Sequence, residues 1–187
     1  DRVLNVIPHA SIYGLNPIDD WESVEINLRD DTNIRGISPY IETEALIKSK
    51  SAVAGVLVNG VIASKDKSVS VIHEFMQTGN FEKIQTSNNI VLGRLLARKL
   101  NVDVGDKISL MLPDTSSSFA GYFPKSKVFN ISGIFNIGSK DIDETLAYIS
   151  LENASILTGL KNQVHGFRLK FDDLFEAPYL VWQSLIY

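Results

Sequence analysis

Residues 90–112 read IVLGRLLARKLNVDVGDKISLML, and this stretch decides the fold class. Leu92, Leu95, Leu96 and Leu100 fall on one face of a helix, with Arg94, Arg98 and Lys99 mostly off it. Asn101 ends that helix, residues 102–106 (VDVGD) make a turn, and residues 107–112 alternate as a strand. Downstream comes a long connection, Pro113 to Pro124 (PDTSSSFAGYFP), and then a second strand over 127–135 (KVFNISGIF). About two to five loop residues are usual in a hairpin, so a connection of this length is an excursion rather than a tight turn.

Upstream, residues 10–14 are a short strand. Asn16-Pro17 opens a helix over about 17–29, with Asp19, Asp20 and Glu22 in the first turn and Trp21, Val24 and Leu28 at helical spacing. Residues 34–48 and 51–62 read as extended. His73 to Met76 reads as a helical turn. Asp141, Asp143 and Glu144 form a short acidic loop ahead of a strand at 145–151 and a helix near 152–160. Residues 164–171 (VHGFRLKF) alternate, with Phe167, Leu169 and Phe171 on one side and Arg168 and Lys170 on the other. Asp172-Asp173 caps a last helix over 173–186. Helices alternate with strands at both ends around a β-rich middle, which predicts an α+β fold: a split βαβ-type layer carrying an inserted β-rich subdomain.

Composition bounds the chemistry. The chain has 187 residues, 44% hydrophobic and 21% charged, a globular balance. Its net charge of −4 and pI of about 5.4 argue against general nucleic-acid binding. There is no cysteine, so disulfides, thiol catalysis and cysteine-bearing zinc sites are excluded. His9, His73 and His165 are too scattered for a metal motif, and Asp141, Asp143 and Glu144 lack the glycine and distal glutamate of a calcium loop. Neither a nucleophile elbow nor a phosphate-binding glycine loop is present, so the chain reads as non-enzymatic, with no cofactor and no metal. No apolar run approaches the roughly 18 residues of a membrane helix. The chain starts at Asp1 and stops in an apolar stretch, as a piece of a larger protein would, leaving room for membrane anchors outside it.

Phe119, Tyr122 and Phe123 stand out in an otherwise polar loop. Either they fold back on their own domain, or they await a partner as exposed aromatic anchors. Lys125 and Lys127 flank the loop, as strand-end lysines or as steering charges for an acidic partner.

Residues 90–100 with Val102, Val104, Gly105 and Asp106 resemble the signature of extracytoplasmic domains in MacB-like transporters. Ser118-Phe119-Ala120-Gly121-Tyr122-Phe123-Pro124-Lys125, with Phe129, Ile131, Gly133, Ile134 and Phe135, is similar to the corresponding run of LolC-type proteins. Gly138 to Asp143 and residues 1–9 (DRVLNVIPH) extend the resemblance over nearly the whole chain.

The family is the membrane subunit of the bacterial lipoprotein-releasing ABC transporter, LolC, LolE or the merged LolF. The resemblance implies a periplasmic domain at the inner membrane, between membrane helices that lie outside this chain. It implies a Porter layer over 1–62 and 163–187 and an inserted Sabre subdomain over 63–162. LolC-type members carry a β-hairpin, the Hook, here Pro113 to Pro124, that captures the chaperone LolA so that a lipoprotein can be handed over. On that reading Pro113, Ser118, Phe119, Ala120, Gly121, Tyr122, Phe123, Pro124, Lys125 and Lys127 face the partner. Further implied partners are the lipoprotein cargo, a second membrane subunit and the cytoplasmic ATPase LolD. Ser118-Phe119 and Pro124-Lys125 depart from the LolC pattern of Thr-Pro and Pro-Arg. Residues 38–41 and 56–61 look LolE-like, and LolE receives lipoprotein without recruiting LolA in the same way.

Overall fold

The structure, a computed structural model, describes residues 10–30, 33–112 and 126–171. Among the described residues nine strands and five helices follow in chain order: β1 (Ala10–Ile18), α1 (Trp21–Arg29), β2 (Ile34–Lys48), β3 (Val53–Val61), α2 (Ala63–Asp66), β4 (Met76–Gly79), β5 (Asn89–Gly93), α3 (Arg94–Leu100), β6 (Lys107–Met111), β7 (Ser126–Phe135), α4 (Lys140–Thr145), β8 (Leu146–Ser150), α5 (Leu151–Thr158) and β9 (Val164–Phe171). Short 3-10 turns at Ile72–Phe75 and Phe81–Gln85 fill the connection between α2 and β5.

All nine strands belong to one mixed sheet. β2 is long enough to serve two partners in turn. Its first half, Ile34 to Tyr40, pairs with β9, and its second half, Tyr40 to Lys48, pairs with β3. β9 lies antiparallel between β1 and β2, so β1 and β2 run parallel on either side of it, the arrangement of a split βαβ unit closed by α1. Beyond Tyr40 the sheet closes on itself. β2 bonds β3, β3 runs parallel to β8, β8 pairs with β5, β5 with β7 and β7 with β6, and β6 returns to β2 through Leu46–Met111, Ile47–Leu110 and Lys48–Ser109. Six strands thus form a ring, and closing a sheet removes the free edges that invite pairing with other chains.

Burial follows the two-residue period of the strands. Ile41, Ala45, Ile47, Val56, Val58, Ile90, Leu92, Ile108, Leu110, Phe129, Ile131, Ala147 and Ile149 face into the ring, where Leu96 and Leu100 of α3 and Ala154 and Leu157 of α5 join them. Tyr40, Val61, Val91, Phe135 and Tyr148 face outward and are covered by Ala63, Ile72, Phe81 and Ile84 from the connection after β3. A third cluster, Trp21, Ile37, Val164, Phe167, Leu169 and Phe171, fixes α1 on the β1–β9–β2 layer.

Several expectations are corrected. Leu92 belongs to β5, and α3 starts only at Arg94; the inward strand position and the helix face are continuous in space, so the four-residue spacing survives while the backbone changes state. Asn16-Pro17 lies in β1, and α1 begins at Trp21. Pairing of Ile18 with Val164 overrides the local cap signal, and β1 is an edge strand, where a residue without an N–H is tolerated. The acidic stretch at 141–144 is part of α4, and its Asp143 is buried. Arg168 is buried as well, because β9 is covered on both faces. The expected helix over 173–186 and its caps Asp172 and Asp173 lie outside the described residues.

Candidate functional site

The loop singled out in the sequence leaves the ring from the β6–β7 pair. These strands are antiparallel with unbroken register from Lys107–Asn130 to Met111–Ser126. Ile108 and Leu110 on one strand, and Phe129 and Ile131 on the other, point into the ring core and leave a slip of one residue no apolar alternative. The turn before β6 is set by Gly105, whose positive φ of 96° suits glycine, and Gly105 N–H donates to Ile131 O at 2.8 Å. Pro113, Ser118, Phe119, Ala120, Gly121, Tyr122, Phe123, Pro124 and Lys125 lie outside the described residues; the last paired rung stands beside them.

Lys127 is described. It sits opposite Leu110, so its stem leaves on the inner side of the ring. Its Nζ donates to Asn153 Oδ1 at 2.6 Å and lies 5.8 Å from the Phe129 ring centroid. Asn153 is itself fixed: its N–H donates to the Ser150 hydroxyl that caps α5, and its Nδ2 donates to Ser87 O. The Lys127 ammonium is therefore held at the mouth of the ring, and an acidic partner group has to compete with Asn153 for it.

On the outer wall beside the hairpin the sheet is bare. Leu46 is 48% exposed, Val53 52% and Val128 52%, and Leu57 and Met111 are half-buried among them. Leu46 faces Gly55 on β3 and Met111 on β6, and the missing side chain at Gly55 leaves a groove lined by Glu44, Leu46, Leu57 and Thr145 and by the strand segments at Ala45 and Val56. An uncovered apolar wall of this kind is a common feature of partner-binding surfaces.

The sequence did not disclose a second polar feature, at the seam where β2 passes from β9 to β3. Glu42, Asn59 and Tyr148 stand side by side on β2, β3 and β8. Arg168 reaches this row from β9. Its Nη2 donates to Glu42 Oε2 at 3.2 Å and to Asn59 Oδ1, and the guanidinium lies 4.8 Å from the Tyr40 ring centroid. Asp66, at the end of α2, lies beneath. Burial pushes its carboxyl up to about 6 against the opposing pull of Arg168, and burial likewise raises the Tyr148 phenol. These residues are spread over more than a hundred positions, and no spacing signal links them.

The geometry has counterparts among solved structures. The periplasmic region of MacB from Actinobacillus actinomycetemcomitans superposes with a TM-score of 0.55 at 12% identity, over 93% of this chain and 74% of that one. The extracellular domain of the ABC-type transporter YknZ from Gram-positive bacteria does so with a TM-score of 0.58 at 8% identity, over 90% of this chain and 78% of that one. The fold is thus that of the extracytoplasmic domains of MacB-like ABC transporters.

No protein-family model matches the chain. Among curated proteins, the lipoprotein-releasing system transmembrane protein LolC of Neisseria meningitidis serogroup B is 33% identical over 96% of this chain and 44% of its own length. LolC of Xylella fastidiosa is 31% identical over 95% of this chain and 43% of its own. LolE of Haemophilus influenzae is 31% identical over 94% of this chain and 44% of its own. The chain belongs to this LolC/LolE family, and it spans less than half the length of the curated relatives it matches. Among the described residues no helix is long and apolar enough to cross a membrane.

Proposed function

We propose that the chain is the periplasmic domain of a LolC- or LolF-type subunit of the lipoprotein-releasing transporter, non-enzymatic in itself. In this reading loop 113–124 is the Hook that recruits a LolA-type chaperone for lipoprotein transfer. The observation that carries it is the β6–β7 pair, rigidly registered up to Met111–Ser126, from which a loop rich in aromatic residues emerges beside a bare apolar wall. In this reading Phe119, Tyr122 and Phe123 are the aromatic anchors, the residue type that commonly dominates an interface. The Porter layer would then comprise 1–62 and 163–187 and the Sabre 63–162, sharing one hydrogen-bonded sheet through β2. Membrane helices outside this chain, a second membrane subunit, lipoprotein cargo and the ATPase LolD complete the assembly at the inner membrane.

The test is calorimetric titration of the chain with the LolA chaperone of the same bacterium, at low and moderate salt. Binding is expected, lost when residues 114–123 are replaced by a short Gly-Ser turn. Phe119→Ala or Tyr122→Ala is expected to weaken it by about 1–3 kcal/mol, with folding unchanged. Wild-type affinity in both aromatic variants would sink the anchor assignment.

A second reading has a specific support: the LolE relative is as similar to this chain, at 31%, as the LolC of Xylella fastidiosa. A LolE-type domain would receive lipoprotein from the membrane, with its apolar wall toward acyl chains. A folded chain that does not bind the chaperone selects this role.

A further inference from the structure

The seam network contains a carboxylate that the hairpin does not use. Asp66 is 1% exposed, and its Oδ1 has no hydrogen-bond partner among the described residues. Arg168 Nη1 stands 3.9 Å away, an ion-pair distance too long for a hydrogen bond, while Nη2 is committed to Glu42 and Asn59. The other ionisable groups nearby do not relieve Asp66. Tyr40 and Glu42 of β2 and Tyr148 of β8 bring no positive charge. On its own segment, Lys65 is taken by Glu25 of α1 and Lys67 by Glu82. His73 lies beside Glu74. Asp66 is therefore a buried acid beside a cation that serves other acceptors, and that is costly when the acid is ionised.

The segment carrying Asp66 covers the seam. Its backbone at Ser68 lies so close to Gly36 of β2 that a side chain at Gly36 would collide with it. It is held by short-range bonds: Lys67 N–H to Ala63 O at 3.2 Å, and Val69 and Ser70 N–H to Asp66 O at 3.0 and 2.8 Å. We propose that Asp66 is an acid-responsive latch. Protonated, it lets the 63–70 segment lie closed over the join between the split βαβ layer and the ring; ionised, it favours opening of that segment toward water.

The sign follows from linkage. The closed form holds its proton up to about pH 6, whereas an opened, hydrated carboxyl returns toward its ordinary 3.8. Opening is thus favoured progressively as pH rises between these values and remains favoured above them.

Hydrogen exchange of the Lys67, Val69 and Ser70 amides, corrected for intrinsic rates, reads the opening directly. The open population is expected to be about tenfold larger at about pH 7.5 than at about pH 5. Asp66→Asn is expected to be flat across that range, and in the wild type the open population of these amides is expected to exceed that of the β8 strand amides at either pH. An equal open population at both pH values, a tenfold change that persists in Asp66→Asn, or protection of these amides equal to that of β8 overturns the proposal. Should Asp66→Asn fail to fold, the carboxyl carbon resonance of Asp66 in the wild type decides: a midpoint near 6 supports the latch, and one near 4 removes it.

Discussion

Asp143 shows how much one buried carboxylate can organise. Its two oxygens accept from Ile137 N–H and Gly138 N–H, each at 2.9 Å, and tie the end of β7 to α4. Gly93 lies against the Asp143 backbone, so the same residue also seats α4 beside β5. Asp143→Ala leaves those two amides without their acceptor and is expected to cost about 1–3 kcal/mol in denaturant unfolding. Asp143→Asn, which keeps one acceptor oxygen, should lose less. In the sequence this aspartate is one of a cluster of acids beside a turn, because its partners are backbone amides that carry no residue signature. Arg168 was opaque for a related reason: alternation along β9 placed it opposite the phenylalanines, but both faces of that strand are covered. Lys127 was legible as a flank of the loop, while its bond to Asn153 was not.

Among the elements, the strands were the legible part. β2, β3, β7 and β9 announce themselves through alternation and β-branched residues, because one face of each meets a core cluster. Helix boundaries were less readable, since tertiary pairing moved them: β1 runs through Asn16-Pro17 and β5 takes Leu92. The β6–β7 pair was visible as two strands about a long connection, and its register and its closure onto β2 were not, because closure depends on partners distant in the chain. The packing of α5 on β3 gives a test at this scale. A Cβ at Gly60 would overlap the Ala154 methyl, so helix and strand meet at the closest approach glycine permits. Gly60→Val should destabilise by about 1–3 kcal/mol through overpacking. Pairing it with Ala154→Gly should recover part of that loss in a double-mutant cycle.

Over the molecule as a whole, two acids give the stability curve opposite slopes. Glu25 lies in α1, with Arg29 at 2.6 Å on the same helix and Lys65 of α2 on its other oxygen. Burial alone would raise its carboxyl, but the hydrogen bonds from Lys65 and Arg29 outweigh that and hold it below the ordinary range. Its contribution is present above the unfolded value near 4.5 and is lost as pH falls through the lower folded value. Asp66 acts the other way, its contribution fading as pH rises from about 4 to about 6. Denaturation midpoints measured across acid pH should therefore fall less steeply at the acid end for Glu25→Gln than for the wild type. Asp66→Asn should gain on the wild type as pH rises through that higher window.

The closed ring also determines how the molecule bears load. The rungs from β6 to β2 and to β7 lie across the strand direction, so tension applied along β6 from the loop is shared by several bonds in shear instead of parting them one at a time. β2 continues past the ring into the β9 layer, so it carries that tension onward to the α1 side. A tug on the loop is thus transmitted through one stiff strand to the opposite end of the domain, as by a lever.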